Sequence, residues 1–484
     1  HAFTEIMEAV FLLLASGSMT AVNGAFECDC SWAAVATCRG SGDGSRCWGE
    51  CCQKVVKEQS PGQSRTSGLK DHAFLPRTAV SIKGDEWHIN GQPTHQGIVW
   101  KGAKVQGLLF NARMVQAIFD DLNPHTVRHW DYPDGKWDPQ RNVNEFIHHL
   151  AAYRHHGLDA VTVSLMGGSP CGSSWPCRFA ANRDSSGFAS NGERRQPFFD
   201  RLAKVVERAD ELGMVVLLQF FYEAQANQIF HNDEAVVNAG HKALDWLLDA
   251  GYTNVALDVC NECDFCSRSC PGCCINDGRS KFTSLHWPPQ GHHGIFLDSL
   301  RARAMKRGRT DLLISSSYIG GAIPKPEDLK HVDFVNLHGN NLWAWKNGDL
   351  AEMVRAVRRM PTYRSVPILF SEDDGRCTHD GVGTWEKAKL AMDDKSQRGP
   401  NGPACFMFFE ECTPSATTRC ALGEATREHV SWGLYLACCS YSVCPSTAWD
   451  YKTGYQCPPV NWAHNATPVK RGFFSKMHEI TSGA

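Results

Sequence analysis

The sequence has no excess of charge of either sign and no long hydrophobic run. Its 484 residues carry 49 Lys and Arg against 52 Asp and Glu, for a formal net charge of −3. A chain without a basic excess is not expected to bind nucleic acid or an anionic membrane surface. No stretch approaches the ~18 consecutive apolar residues that a membrane-spanning helix needs. The composition therefore argues against both partners and is that of an ordinary globular protein, with 42% apolar and 21% charged residues.

Cysteine, in contrast, is abundant and clustered along the chain. The 22 cysteines lie mainly at residues 28–52, 171–177, 260–274 and 405–457. This density is typical of loops held by disulfides in an oxidising compartment, and it predicts a secreted, extracellular protein. Residues 27–57 contain six of the cysteines and are too short to bury a core, so we predict a small disulfide-held module there.

The segments around this module also favour secretion. Residues 1–26 contain the apolar run Ala9–Ala15 followed by small residues, which predicts a secretion signal, although a basic stretch before the run is missing. A buried amino-terminal helix is the alternative. Residues 58–76 begin with a stretch rich in Ser, Gln, Gly and Pro and are interpreted as a linker. Near the other end of the chain, Asn465 begins an Asn-Ala-Thr acceptor for an N-linked glycan.

Residues 77–484 are predicted to form one domain that begins with a hairpin and continues as alternating strands and helices. The helices are amphipathic stretches that each end at a glycine: Asn144–His156 at Gly157, Phe198–Leu212 at Gly213 and Glu234–Ala250 at Gly251. This alternation predicts a parallel sheet with right-handed crossovers, and eight strands predict an α/β fold of the closed (β/α)8 type, a TIM barrel. A doubly wound open sheet is the alternative, but no glycine-rich phosphate loop follows the first strand. The predicted strands are His125–Trp130, Ala160–Leu165, Met214–Phe221, Asn254–Cys260, Leu312–Ser317, Val332–Leu337, Val366–Phe370 and Cys405–Phe409.

Two apolar strand segments run into a glutamate. The segment Val255–Glu262 stops at Glu262, and Val366–Glu372 stops at Glu372. In a parallel barrel the carboxyl ends of all strands open on one face, so the two carboxylates are expected to lie together. Such a pair can cleave a glycosidic bond, because one carboxyl protonates the leaving group and the other attacks or stabilises the sugar. A glutamate after a strand is also common as a solvated loop residue, and Asp374 replaces Glu372 if the register differs.

In this pattern the chain resembles clan A of the glycoside hydrolases. That clan has an Asn-Glu pair at the end of strand four and a second glutamate at the end of strand seven, as Asn261-Glu262 and Glu372 would be here. The resemblance covers residues 80–480 by strand order and rests on short motifs, so it indicates the clan without fixing a family. It implies that Glu262 is the acid/base and Glu372 the nucleophile of a retaining mechanism. It also implies that Asn261 binds the sugar 2-hydroxyl and that Arg128, in predicted strand one, keeps the nucleophile ionised.

Other residues after predicted strands are candidates for lining the cleft. His338 closes strand six and is the expected neighbour of Glu372. Flat aromatic rings offer apolar faces to sugars, and tryptophans follow two of the strands. Each candidate has an ordinary alternative, since a hydrogen-bonded core histidine and a core tryptophan are both common. The aromatic candidates are Trp130, Trp343, Trp345 and, at the end of strand three, Tyr222.

The cysteines that follow strand four have a second interpretation. A bacterial ferredoxin run has the spacing seen in Cys260, Cys263, Cys266, Cys270 and Pro271. A second such run is absent from the sequence, and the many other cysteines indicate an oxidising compartment. We therefore favour disulfides in a long cysteine-rich loop after strand four, residues 264–293, over an iron–sulfur cluster or a structural zinc. No metal and no cofactor is predicted.

These features together predict a secreted retaining glycoside hydrolase that cleaves β-glycosidic bonds in an oligosaccharide or polysaccharide. The alternative is a non-catalytic extracellular carbohydrate-binding or structural protein on the same barrel, which the cysteine density and the amino-terminal module also suit. The sequence leaves open the sugar, the linkage and the choice between endo and exo attack.

Overall fold

The computed structural model describes residues 74–166, 183–222, 229–262, 292–318, 322–338, 350–372, 429–434, 455, 458–466 and 468–484. The predicted secretion signal, the cysteine-rich module and nearly all of the linker lie outside these residues and stay predictions. Within the described ranges, no helix is both long enough and apolar enough to cross a membrane.

Small antiparallel elements precede the barrel. One sheet is formed by β1 (Val80–Lys83), β2 (Glu86–Ile89) and β3 (Gln92–Pro93). The turn between β2 and β3 is Asn90-Gly91, with φ of 53° and 77°, as a two-residue Asn-Gly hairpin loop requires. The predicted hairpin is therefore confirmed, and one further turn divides its first strand into β1 and β2. A second antiparallel pair follows, β4 (Val99–Trp100) and β5 (Ala103–Lys104).

Eight parallel strands form the main sheet. They are β6 (Phe110–Arg113), β7 (Ala160–Ser164), β8 (Val215–Tyr222), β9 (Val255–Asn261), β10 (Ile314–Ser315), β11 (Val335–His338), β12 (Ile368–Glu372) and β13 (Ser431–Leu434). The order β10-β9-β8-β7-β6-β13-β12-β11 sets each strand beside its neighbours in sequence. Near β10 and β11, the two ends of this order, Ser317 and Asn336 form a parallel bridge, and Ser315 Oγ donates to the Phe334 carbonyl at 2.6 Å. The strands thus form a nearly closed parallel barrel, as the predicted (β/α)8 fold requires.

The first strand prediction is wrong and the eighth barrel strand is not the predicted segment, although the other six predictions match β7 to β12 to within a few residues. The first barrel strand is β6, whereas the predicted strand His125–Trp130 contains a 3-10 helix at Val127–Trp130. The sequence pattern misled because β6 carries Asn111 and Arg113, polar side chains that are buried inside the barrel. The eighth strand is β13, which pairs with both β12 and β6 and takes the place assigned to Cys405–Phe409. The latter segment lies outside the described residues.

Helices alternate with the barrel strands along the chain. The described α-helices are α1 (Pro139–His155), α2 (Gln196–Glu211), α3 (Asp233–Ala250), α4 (His292–Lys306), α5 (Leu350–Arg358) and α6 (Pro468–Ser482). The side chain of Asp138 caps α1 by accepting from the Gln140 amide at 2.8 Å. Asn232 caps α3 in the same way, and Gly251 ends it with φ of 74°. The predicted helices that end at Gly157, Gly213 and Gly251 correspond to α1, α2 and α3.

The barrel interior differs between its two ends. Near the amino ends of the strands it is apolar, and Trp87 of β2 packs there with its ring 4.9 Å from that of Phe334. Other members of this cluster are Ala160, Leu217, Ala256 and Leu369. The β1–β3 hairpin therefore covers this end. Towards the carboxyl ends the buried side chains are polar and bond across strands, as Arg113 does to Gln219 at 3.1 Å.

Candidate active site

The two glutamates predicted from the sequence lie side by side at the carboxyl end of the barrel. Glu372 is the last residue of β12, and Glu262 follows the last residue of β9. Both are buried, with 2% and 6% of their surface exposed. One carboxylate oxygen of each lies within 4.8 Å of the other. The strand topology has thus brought together two carboxyl groups that are 110 residues apart in sequence.

Glu262 is held in an unusual backbone conformation. Its φ is 57°, in the left-handed region that side chains other than glycine rarely adopt. The Glu262 amide donates to Ser317 Oγ at 3.3 Å, which helps to hold this conformation. The Tyr222 hydroxyl donates to Glu262 Oε2 at 3.3 Å, and His338 Nδ1 lies 3.2 Å from Oε1. Strained backbone of this kind persists where the surroundings fix it, and it is concentrated at functional sites.

Glu372 is paired with an arginine, but not with the one expected from the sequence. Arg113 Nε lies 2.9 Å from Glu372 Oε1, and both side chains are almost fully buried. Arg128 instead lies on the 3-10 helix after β6 and is exposed. The expectation for Arg128 is corrected to Arg113, because the first barrel strand is β6 and ends at Arg113. The misplaced first strand therefore caused the misplaced arginine.

His338 lies between the two glutamates. It is fully buried, and its Nδ1 is 3.4 Å from Glu372 Oε2 as well as 3.2 Å from Glu262. Burial lowers the pKa of His338 to about 4; the charge of Glu372 opposes this shift and that of Arg113 adds to it. The imidazole is thus neutral near pH 7. When its hydrogen is on Nδ1, it donates to either carboxylate, so it orients the pair without adding charge.

Polar side chains beneath the glutamates extend the site into the barrel. Asn261 Oδ1 accepts from Arg113 Nη1 and from Gln219 Nε2, both at 3.0 Å. Gln219 Nε2 also donates to Asp258 Oδ2 at 2.7 Å. Sequence reasoning missed Gln219 and Asp258. The available signal was a single polar residue inside each apolar run, Gln219 in β8 and Asp258 in β9.

The aromatic candidates have different outcomes. Tyr222 lies at the site through its contact with Glu262. Trp130 does not line a cleft: it is fully buried, its Nε1 donates to Asp121 Oδ2 at 2.8 Å, and its ring packs edge-on against Phe119. A ring enclosed in this way offers no face to a sugar, so this candidate is corrected. Trp343 and Trp345 lie outside the described residues.

The two carboxylates and the imidazole between them are also the described groups best placed to hold a metal ion. Among the described residues, Glu262, His338 and Glu372 form the one group of at least three metal-ligating side chains whose ligand atoms lie within 4.8 Å of one another. A guanidinium 2.9 Å from Glu372 disfavours a second cation there, because like charges repel strongly in a buried site. The arrangement suits proton transfer and nucleophilic attack better. Of the ferredoxin-like cysteines, only Cys260 is described, buried in β9, and the disulfide interpretation stays a prediction.

Comparison with known proteins yields distant structural matches. No protein-family model and no curated protein matches the chain. A glycoside hydrolase family 5 structure from Bacteroides vulgatus has 12% identity and a TM-score of 0.44, covering 84% of this chain and 71% of that chain. A β-glucanase from Saccharophagus degradans in complex with cellotetraose has 10% identity and a TM-score of 0.43, covering 88% and 99%. An exo-β-1,4-mannosidase from Opitutaceae bacterium strain TAV5 has 12% identity and a TM-score of 0.42, covering 79% and 61%. Similarity this low does not assign the chain to a family.

Proposed function

We propose that the protein is a retaining glycoside hydrolase. The observation that carries the proposal is the separation of the two buried carboxylates, 4.8 Å or less between one oxygen of Glu262 and one of Glu372. Retaining enzymes hold their carboxyl groups about 5–5.5 Å apart, whereas inverting enzymes leave about 6.5–9.5 Å for a water molecule. The separation here is close to the retaining value, which supports direct attack on the sugar by one carboxylate.

The surroundings support different roles for the two carboxyl groups. Arg113 stabilises the ionised form of Glu372, which suits a nucleophile. Glu262 accepts from the Tyr222 hydroxyl and lies beside the neutral imidazole of His338, which suits a group that gains and loses a proton. Environments that separate two carboxyl groups in this way are the basis for acid and nucleophile assignments in glycosidases.

The reaction then proceeds in two displacements. The Glu372 carboxylate attacks the anomeric carbon while Glu262 protonates the departing glycosidic oxygen, which leaves a glycosyl ester on Glu372. Glu262, now ionised, takes a proton from water, and the resulting hydroxide displaces Glu372 with net retention of configuration. Asn261 Nδ2 is buried and has no hydrogen-bond partner among the described residues, so it can donate to a sugar hydroxyl.

Secretion and the substrate class belong to the same proposal. The cysteine density supports an oxidising compartment, and Asn465, which begins the glycan acceptor, is exposed. A β-linked oligosaccharide or polysaccharide is the expected substrate, with Trp343 and Trp345 as candidate sugar platforms. The alternative, a non-catalytic carbohydrate-binding protein, gives no reason for two carboxylates this close together, since their repulsion costs free energy that binding alone does not need.

Azide rescue of single variants tests both roles. Glu262→Ala and Glu372→Ala should each lower kcat on 4-nitrophenyl β-glycosides by at least about 100-fold, the usual contribution of a positioned proton-transfer group. Azide should restore turnover in both variants. It should give the α-glycosyl azide with Glu372→Ala, because azide replaces the nucleophile, and the β-glycosyl azide with Glu262→Ala.

A matched control variant shows whether a loss of activity is specific to the site. Glu211→Gln changes a glutamate at the end of α2 that pairs with Arg208 on the outer surface, and it should leave kcat unchanged. Full activity in both alanine variants would refute the proposal. Binding of a polysaccharide by the wild type without hydrolysis of any β-glycoside would favour the binding protein instead.

A further inference from the structure

A third buried carboxyl group, Asp258, lies beneath the two glutamates and has no part in the proposed chemistry. It is on β9, four residues before Glu262, and is 1% exposed. Its Oδ2 accepts from Gln219 Nε2 at 2.7 Å and from Ser317 Oγ at 3.3 Å. Its Oδ1 is buried and has no hydrogen-bond partner in the part of the chain that the structure describes. An ionised carboxylate with one oxygen unsatisfied in a dry site is costly, whereas a neutral carboxyl tolerates it.

Gln219 connects this carboxyl to the reacting groups. Its Nε2 donates to Asp258 Oδ2 and to Asn261 Oδ1. Its Oε1 accepts from Arg113 Nη1 at 3.1 Å. Arg113 in turn reaches Glu372 through Nε. The amide of Gln219 has one orientation that satisfies all three neighbours, because a flip would place its oxygen against Asp258 and its NH2 group against the guanidinium. The acceptor oxygen of Asp258 therefore fixes the orientation of the Gln219 amide, and this amide in turn fixes the position of the Arg113 guanidinium.

The charges around Asp258 also favour its neutral form. Burial raises the pKa of Asp258 to about 7, and nearby Glu372 adds to this, while Gln219, Arg113 and Ser317 act in the opposite direction. Arg113 is the guanidinium beside both carboxyl groups, so two ionised carboxylates would leave one buried negative charge uncompensated. A proton on Asp258 removes that charge, so that Arg113 pairs with Glu372 alone.

We propose that Asp258 is a positioning residue that works in its uncharged form. It holds the Gln219 amide, which aims Arg113 at Glu372 and turns the Asn261 amide group towards the sugar. The inference rests on the proposed function, because the aim of Arg113 matters to turnover only if Glu372 is the nucleophile.

The charge state is tested by Asp258→Asn, which keeps an acceptor for Gln219 and carries no charge. The acid limb of kcat/KM on a 4-nitrophenyl β-glycoside reports the protonation of Glu372. If Asp258 is already neutral, this limb should stay within about 0.2 pH units of the wild type. If Asp258 is ionised, removing its charge favours ionised Glu372 and moves the limb to lower pH. A shift of more than half a pH unit would overturn the proposal.

The positioning role is tested by removing the acceptor. Asp258→Leu and, as a second variant, Gln219→Met should each lower kcat about five- to tenfold or more, the size expected for a lost buried hydrogen bond. KM should change much less, because substrate contacts remain. Asp258→Asn should retain kcat to within about threefold, and the outer-surface control Asp249→Asn should match the wild type. Equal kcat values for Asp258→Leu and Asp258→Asn would contradict the inference.

Thermal unfolding tests the charge state of Asp258 without any substrate. The ordinary aspartate pKa is 3.8, and burial raises the pKa of Asp258 to about 7, so the folded protein retains a proton that the unfolded chain releases between these values. Wild-type stability should therefore fall as pH rises through this window, relative to Asp258→Asn. The difference in Tm between variant and wild type should increase from pH 4 to pH 7. A constant difference would overturn this inference alone, whereas a wild type that hydrolyses no probe would overturn the proposed function.

Discussion

At the scale of single residues, one arginine makes the two glutamates of the site unequal. Arg113 is almost fully buried with Nε 2.9 Å from Glu372, so its charge acts with little screening by water. The contacts of Glu262 with Tyr222 and His338 are of a different kind, a hydroxyl and a neutral imidazole. The Arg113–Glu372 ion pair therefore contributes to the asymmetry that the proposed acid and nucleophile need.

Replacing this arginine should change the pH dependence of the proposed hydrolysis. Arg113→Met removes the cation while keeping an unbranched apolar chain, so ionised Glu372 becomes less favoured. The acid limb of kcat/KM should move to higher pH by about 1–3 units, the usual effect of a close opposite charge. Arg128→Met is the matched control, since Arg128 is exposed on a 3-10 helix, and its profile should overlay the wild type. An unmoved acid limb in Arg113→Met would remove Arg113 from the mechanism.

The residues that the sequence predicted differ in kind from those it did not. Glu262, Glu372 and His338 each follow an apolar run and stand out at its end. Arg113 and Gln219 lie within strands, where a polar residue weakens the apolar pattern by which strands are recognised. Their burial is tolerated because Arg113 of β6 bonds to Gln219 of β8 inside the barrel, a contact that exists only after the barrel has formed.

At the scale of elements, a close approach of backbones depends on a glycine. Gly192, in the loop before α2, has φ of 84°, and a Cβ built there would lie 2.1 Å from the carbonyl oxygen of Ala235 in the first turn of α3. Backbone cannot yield as a flexible side chain can. This loop and α3 therefore fit together only when residue 192 has no side chain.

Two glycine substitutions separate crowding from backbone strain. Gly192→Ala should destabilise the fold by about 3 kcal/mol or more, combining left-handed strain with overpacking. Gly213→Ala is the matched control, because Gly213 has φ of 67° with open space around a Cβ, and it should cost only about 1 kcal/mol. Chemical denaturation of both variants measures the difference. Similar losses for the two would show that the loop moves to accept the methyl group.

At the scale of the whole molecule, buried neutral histidines couple folding to pH. Burial lowers the pKa of His338 to about 4 and that of His293 to about 3, and the neighbouring charges modify each shift. Below the ordinary histidine pKa of 6.5, the unfolded chain binds protons that the folded protein does not. These two residues therefore make the folded state lose stability as pH falls from about 6.5, opposite in sign to the contribution of Asp258.

A single variant should reduce this acid sensitivity. His293→Asn removes a group that charges only in the unfolded chain, so it should spare about 2–3 kcal/mol of the stability lost between pH 7 and pH 4.5. Tm at the two pH values gives the measurement, with exposed His125→Asn as the control. If His293→Asn and the wild type lose the same Tm on acidification, His293 is charged or hydrated in the folded protein.

The left-handed backbone at Glu262 lowers the free energy of unfolding at a residue that the proposed function needs. A side chain at φ of 57° costs roughly 1–3 kcal/mol that a glycine there would not. The position is therefore one where loss of catalysis and gain in stability go together, and where random mutagenesis selected for heat resistance alone should yield inactive protein. If the proposed function is correct, a more stable active variant would have to keep that strained residue and gain its stability elsewhere.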